Sequence, residues 1–176
     1  MDVDRRVRFE LLYGRYAAAV KAYAMRRADE SLADDVVAEV FVVCWRRFEE
    51  IPAEPLPWLL GVARKVLSTQ RRGEQRREAL TKRLQQDCDR PGAAPQVGED
   101  GVLADALGQL SDGDRELLLL IAWDGMTPSG AAVVLGIKPA TARVRLMRAR
   151  RRLAYALDRA EQAPVLCSPL SMEVPS

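Results

Sequence analysis

Apolar positions recur along the chain at helical spacing. Phe9, Leu12, Tyr13, Tyr16, Val20 and Tyr23 follow the three-and-four interval of an amphipathic helix. The segment "SLADDVVAEVFVVCWRRF" continues with an apolar stripe of Val36, Val37, Val40, Phe41, Cys44 and Phe48. Its β-branched residues also suit a strand, but its length favours a helix, and Ser31 with Asp34 predicts an N-terminal cap. Prolines in "IPAEPLP" break the pattern, since proline cannot continue the hydrogen-bond ladder. A third helix is expected from near Trp58 through "WLLGVARKVLSTQRR" into a basic, polar extension.

Glycine and proline then cluster from Asp89 to Gly101, "DRPGAAPQVGEDG", a linker by composition. Beyond it "VLADALGQL" is a short helix, and "SDGDRELLLLIAWDG" is another, opened by Ser111 and Asp114 and closed by Gly125. In "TPSGAAVVLG", Thr127 is the expected N-cap, Pro128 the first helical residue and Gly136 the stop. A final helix, "IKPATARVRLMRARRRLAYAL", follows almost at once. Two helices joined by about three residues around a glycine form the helix-turn-helix pattern. No strand signal and no internal repeat appear. The expected fold class is all-α, with two small helical domains. Residues 1–88 form the first domain, 89–101 the linker, 102–160 the second domain and 161–176 an unstructured tail rich in proline and serine.

Charge separates these helices by role. The whole chain has a formal net charge of +2, yet Lys138 to Arg152 holds seven basic residues and no acid. Arg64 to Arg83 holds eight basic residues against two acidic ones, and Asp29 to Glu54 eight acidic against two basic. Basic blocks suit polyanions, and the acidic block suits a separate basic protein partner. The 176 residues include no histidine, and Cys44, Cys88 and Cys167 lie far apart without a paired motif. No catalytic residue, metal site or cofactor is expected from such a set. The charged start, "MDVDRRVRFE", is unlike a signal peptide, and no apolar run approaches membrane-spanning length, so a cytoplasmic protein is expected.

On a helical wheel Ala142, Leu146, Ala149, Leu153 and Leu157 share the packing side of the last helix. Val144, Met147, Arg148 and Arg151 lie opposite, with Arg143 and Arg150 on one edge and Arg145 and Arg152 on the other. The first half of a recognition helix enters the major groove, so Arg143, Val144, Met147 and Arg148 are placed to meet base edges. Arginine pairs with guanine, and valine or methionine meets a thymine methyl. Arg145, Arg150 and Arg151 suit phosphates. A solvated arginine-rich helix end is the plainer alternative, disfavoured by the capped helix and tight turn before it.

The block after Trp58 combines an aromatic with basic residues, a composition suited to single-stranded DNA, although Trp58 itself, with Leu59, Leu60 and Val62, reads more readily as core. In "ADDVVAEVFVVCWRRF", Asp34, Asp35 and Glu39 lie beside Phe41 and Trp45, a candidate protein-docking patch. An ordinary core helix with an acidic first turn is the alternative there.

Taken in order, "FELLYGRYAAAVKAYAMRR", "ADDVVAEVFVVCWRRF", "PWLLGVARKVLSTQRR" and the C-terminal helix-turn-helix resemble a bacterial extracytoplasmic-function sigma factor, over roughly residues 9 to 157. The resemblance implies a monomeric protein that binds the clamp and flap regions of core RNA polymerase and directs it to promoter DNA. It also implies a possible anti-sigma partner, and no membrane. It places clamp contacts at Asp34, Asp35, Glu39, Phe41 and Trp45. Minus-ten contacts fall at Ala63, Arg64, Lys65, Ser68, Thr69, Arg71 and Arg72. Minus-thirty-five contacts fall at Thr141, Arg143, Val144, Arg145, Met147, Arg148, Arg150 and Arg151. Lys65, Gly130, Lys138 and Val144 depart from the residues common in the family, so the promoter sequence is not carried over. Two other functions fit parts of the pattern: an autonomous helix-turn-helix repressor, and a sigma-like docking protein that reads no DNA.

Overall fold

The computed structural model describes the backbone of residues 2–82 and 101–162, and side chains within 3–73 and 101–160. The expected tail beyond Gln162 and all of the expected linker except Gly101 lie outside the described residues, while Glu161 and Gln162, expected in the tail, continue the last helix. Among the described residues there are seven α-helices: α1 Asp2–Met25, α2 Glu30–Arg46, α3 Pro55–Lys82, α4 Gly101–Gly108, α5 Asp112–Ala122, α6 Pro128–Leu135 and α7 Pro139–Gln162. A short 3-10 turn, Phe48–Glu50, follows α2.

The β-branched run is helical, as its length predicts, but its cap differs from the expected one. Asp29 is the N-cap of α2, its Oδ1 accepting from the Leu32 amide at 2.8 Å. Ser31 therefore lies inside the first turn. Helix α3 begins at Pro55, three residues before Trp58. Pro55 and Pro57 both fall in the first turn, where a missing amide hydrogen breaks no ladder bond. Ser111 and Thr127 cap α5 and α6 as expected, accepting from the amides of Asp114 and Gly130.

Helices α1, α2 and α3 pack together, and α4, α5 and α6 surround α7. The two groups also meet, because α6 lies on α3. Apolar side chains from Val20 and Tyr23 through Leu59 and Leu60 to Leu117, Ala131 and Leu146 form one continuous buried cluster. Gly61 lies at this contact: a Cβ there would stand 3.7 Å from the Val134 Cα, an ordinary van der Waals distance. Helix α6 suits this position, with Ala131, Ala132 and Val134 all buried. A short helix apolar on most sides is covered by neighbours on more than one side.

A polar network closes the same junction. The Tyr23 hydroxyl donates to Glu116 Oε1 at 2.8 Å. Arg27 Nε donates to both Glu116 oxygens at 3.1 Å, and its Nη2 to Asp124 at 3.2 Å. Arg26 also pairs with Asp124. Burial by itself would lower the Arg27 pKa, but Tyr23, Glu116 and Asp124 outweigh it and leave it raised. Burial, reinforced by Glu116, pushes the Tyr23 phenol far up.

Cys44 gives a chemical test of the α1–α2–α3 packing. It has no exposed surface, and burial pushes its thiol up to about 11. The thiolate is the reactive form, so iodoacetamide should modify Cys44 slowly at neutral pH and rapidly once urea unfolds the chain. Equal rates by mass spectrometry in the two conditions would show that this core is open.

Candidate nucleic-acid and polymerase-docking surfaces

The helix-turn-helix is built from local constraints. Thr127 Oγ1 accepts the Gly130 amide at 3.0 Å, which fixes the start of α6. Gly136 ends it with φ of 66°, a left-handed conformation that glycine adopts without a Cβ clash. The Ile137 amide returns to the Ala132 carbonyl at 3.0 Å, turning the chain directly into α7. Along α7, Ala142, Leu146 and Ala149 are buried, and Leu153 is half-buried. This face holds the helix to the domain and leaves the opposite face free.

That free face carries Thr141, Arg143, Val144, Met147, Arg148, Arg150 and Arg151, all exposed. Val144 is 45% and Met147 65% exposed. Two apolar side chains thus stand in water among guanidinium groups. Arg145 is placed differently from its expected phosphate role: it is half-buried and turned toward α5, where Nε donates to Asp114 Oδ1 at 3.0 Å.

On α3, Arg64, Lys65, Thr69, Arg71 and Arg72 are exposed and Ser68 is half-buried. Ala63 is not available: it has no exposed surface and sits in the core. A residue one position from Arg64 on a helix is rotated by about 100°, so the expected run could not all face one partner. Thr69 Oγ1 donates back to the Lys65 carbonyl at 3.0 Å. Arg71 Nη2 donates to the Arg27 carbonyl at 2.7 Å, tying this basic edge to the junction network. Trp58 is half-buried and packs against the core, with the Arg47 guanidinium carbon 5.9 Å from its ring centroid.

On α2, Asp34, Asp35 and Glu39 are exposed, and Asp34 pairs with Lys21 at 2.8 Å. Phe41 is 4% exposed, so it leaves the candidate docking surface. Its ring instead packs edge-on against Tyr13 at 4.7 Å and Phe9 at 6.2 Å. Trp45 keeps 37% of its surface; Phe9 lies 5.2 Å away and the Arg5 guanidinium carbon 4.8 Å from its ring centroid. The surviving patch is therefore three carboxylates and one tryptophan.

Sequence reasoning missed Tyr23, Arg26, Arg27, Glu116 and Asp124 as a group. The arginine pair in "YAMRRADE" and the acids in and after "DRELLLLIAWD" were visible, but neither segment names its partner. Among the described residues no helix is long and apolar enough to cross a membrane.

Comparison with known proteins follows the same two groups of helices. The family model for Sigma-70 region 2 matches residues 12–77, and that for Sigma-70 region 4 matches residues 101–153. The chain is 32% identical over 159 residues to the ECF RNA polymerase sigma factor SigL of Mycobacterium tuberculosis, covering 84% of this chain and 87% of that one. It is 30% identical over 156 residues to the RNA polymerase sigma factor CnrH of Cupriavidus metallidurans, covering 81% and 80%. A probable RNA polymerase sigma factor, RfaY of Xanthomonas campestris, is 30% identical over 155 residues, and there the chain spans 38% of the relative's length. The sigma factor RpoE of Bartonella quintana, solved with the anti-sigma factor NepR, shares the fold, with a TM-score of 0.62 at 23% identity over 85% of this chain and 96% of that one. CnrH, solved with the cytosolic domain of CnrY, gives 0.55 at 26% identity over 86% and 88%. With two sigma-70 regions in this order and a relative such as SigL matched over most of both lengths, the chain belongs to the extracytoplasmic-function sigma factors of RNA polymerase.

Proposed function

We propose that this chain binds core RNA polymerase and directs promoter-specific transcription initiation. Helix α7 reads the minus-thirty-five element as duplex, and the basic side of α3 captures the minus-ten strand. Asp34, Asp35, Glu39 and Trp45 hold the polymerase clamp. The protein works in the cytoplasm by binding, without catalysis of its own. An anti-sigma partner, such as NepR is for RpoE, belongs to this reading.

The observation that carries the reading is the outer face of α7. Arg143, Val144, Met147 and Arg148 are exposed together at the start of the second helix of a helix-turn-helix. Exposed Val144 and Met147 gain by meeting thymine methyl groups, and the flanking arginines match guanine edges. Exposed Arg150 and Arg151, further along, suit the phosphates that set register.

The test is run-off transcription with purified core enzyme on a template carrying a sequence selected by the assembled complex. The wild-type chain should start transcripts at one position. Arg148→Ala should lose about 5- to 150-fold in discrimination at the minus-thirty-five element, the equivalent of roughly 1–3 kcal/mol for one bidentate base contact. Absence of promoter-specific initiation from a folded wild-type chain refutes the proposal.

A further inference from the structure

We infer that Asp114 is a positioning residue for minus-thirty-five readout, holding Arg145 and Arg152 so that α7 presents its reading face at a fixed roll. This rests on the assignment of α7 as the duplex reader. Among the described residues, the buried charged side chains include Arg27, Asp124 and Asp114. Arg27 belongs to the junction between the two groups of helices, whereas Asp114 faces α7. One carboxylate oxygen accepts from Arg145 Nε at 3.0 Å and the other from Arg152 Nη1 at 3.2 Å.

The two arginines are seven residues apart, so they lie on one edge of α7 about two turns apart. A single carboxylate bracketed by both resists rotation of α7 about its axis. At a side-chain radius of about 5–6 Å, a roll of about 20° would move a contact atom by about 2 Å, more than a base-specific hydrogen bond tolerates. On the packing face Ala142 and Ala149 project little from the helix, so apolar opposition to such a roll falls mainly to Leu146, and the carboxylate bracket adds to it.

Two further features support the assignment. Asp114 stands at the third position of α5, where the helix dipole favours a carboxylate. Gly113 precedes it, and a Cβ there would overlap the Arg145 guanidinium. Glycine at this first-turn position leaves the space that the guanidinium fills. Arg145 and Arg152 are thereby assigned to positioning and not to phosphate, which separates from the basic run of α7 a pair held by Asp114, with Arg145 half-buried and Arg152 exposed.

The experiment uses the full chain with core RNA polymerase and a pool of promoter duplexes randomised over the minus-thirty-five element. The sequence selected by the wild type, and a scrambled version, serve as probes across a salt series. Asp114→Asn and Arg145→Met should each reduce the preference for the selected duplex by about tenfold, on the scale of one mismatched base pair. Neither should change the salt slope. Arg151→Ala, a phosphate contact, should lower that slope by about 0.9 while leaving the preference nearly intact. Gly113→Ala keeps every charge and adds a better helix former, yet displaces the guanidinium, and should reduce the preference while circular dichroism stays native. If Arg145→Met lowers the slope by about 0.9 and spares the preference, Arg145 is a phosphate ligand and the inference is overturned. Unchanged preference in both Asp114→Asn and Gly113→Ala overturns it as well. Failure of the wild type to select any sequence would instead refute the duplex-reading assignment on which the inference rests.

Discussion

Arg27→Ala is expected to lower the unfolding free energy by about 3 kcal/mol, the low end of the roughly 3–5 kcal/mol typical of breaking a buried ion pair from one side. The Arg27 side chain is 6% exposed, and its two acidic partners, Glu116 and Asp124, are 17% and 3% exposed. Removing the guanidinium leaves both carboxylates largely out of water. The loss stays at the low end because each acid keeps one other partner: Glu116 the Tyr23 hydroxyl, Asp124 the Arg26 guanidinium. Arg27→Lys should recover only part of the loss. Lysine keeps the charge but cannot span Glu116, Asp124 and the Tyr23 carbonyl with one planar fork. Urea unfolding measures the effect, and Glu116→Gln combined with Arg27→Ala separates pair energy from burial cost. A loss below about 1 kcal/mol for Arg27→Ala would mean that the network is no stronger than a surface ion pair.

Leu117→Ala is expected to cost roughly 2–5 kcal/mol, the range for leucine truncation in a close-packed core. Leu117 has no exposed surface and lies in α5, which packs on both α6 and α7. Alanine there leaves a void that neighbouring helices fill only in part. Leu11→Ala is the control: Leu11 is 69% exposed on α1, and its truncation should stay within about 0.5 kcal/mol. If the two variants had equal denaturant midpoints, α5 would not be part of the shared core.

Much of the local structure was legible in the sequence because its causes are local. Thr127, Pro128 and Gly136 bound α6 through caps and backbone conformation that involve only neighbouring residues. The wheel for α7 correctly separated Ala142, Leu146 and Ala149 from Arg143, Val144, Met147 and Arg148, because burial on a helix follows its period. Phe41 and Ala63 show where that reasoning stops. Ala63 adjoins exposed Arg64 and Phe41 lies two residues from exposed Glu39, but α1 covers Phe41, and Ala63 lies under the packed helices. A residue's neighbours in sequence do not say which other helix lies above it.

By itself, the sequence determined the helices, the two basic faces, the acidic patch and the family resemblance, since composition, spacing and caps act over a few residues. Only the tertiary structure decided that α6 lies on α3, that Arg27 meets Glu116 and Asp124 across 89 and 97 residues, and that Asp114 claims Arg145 from among the arginines of α7. Charge in a sequence declares that a residue needs a partner or water. Which one it finds depends on distances between helices, and those are set by how the whole apolar surface is buried.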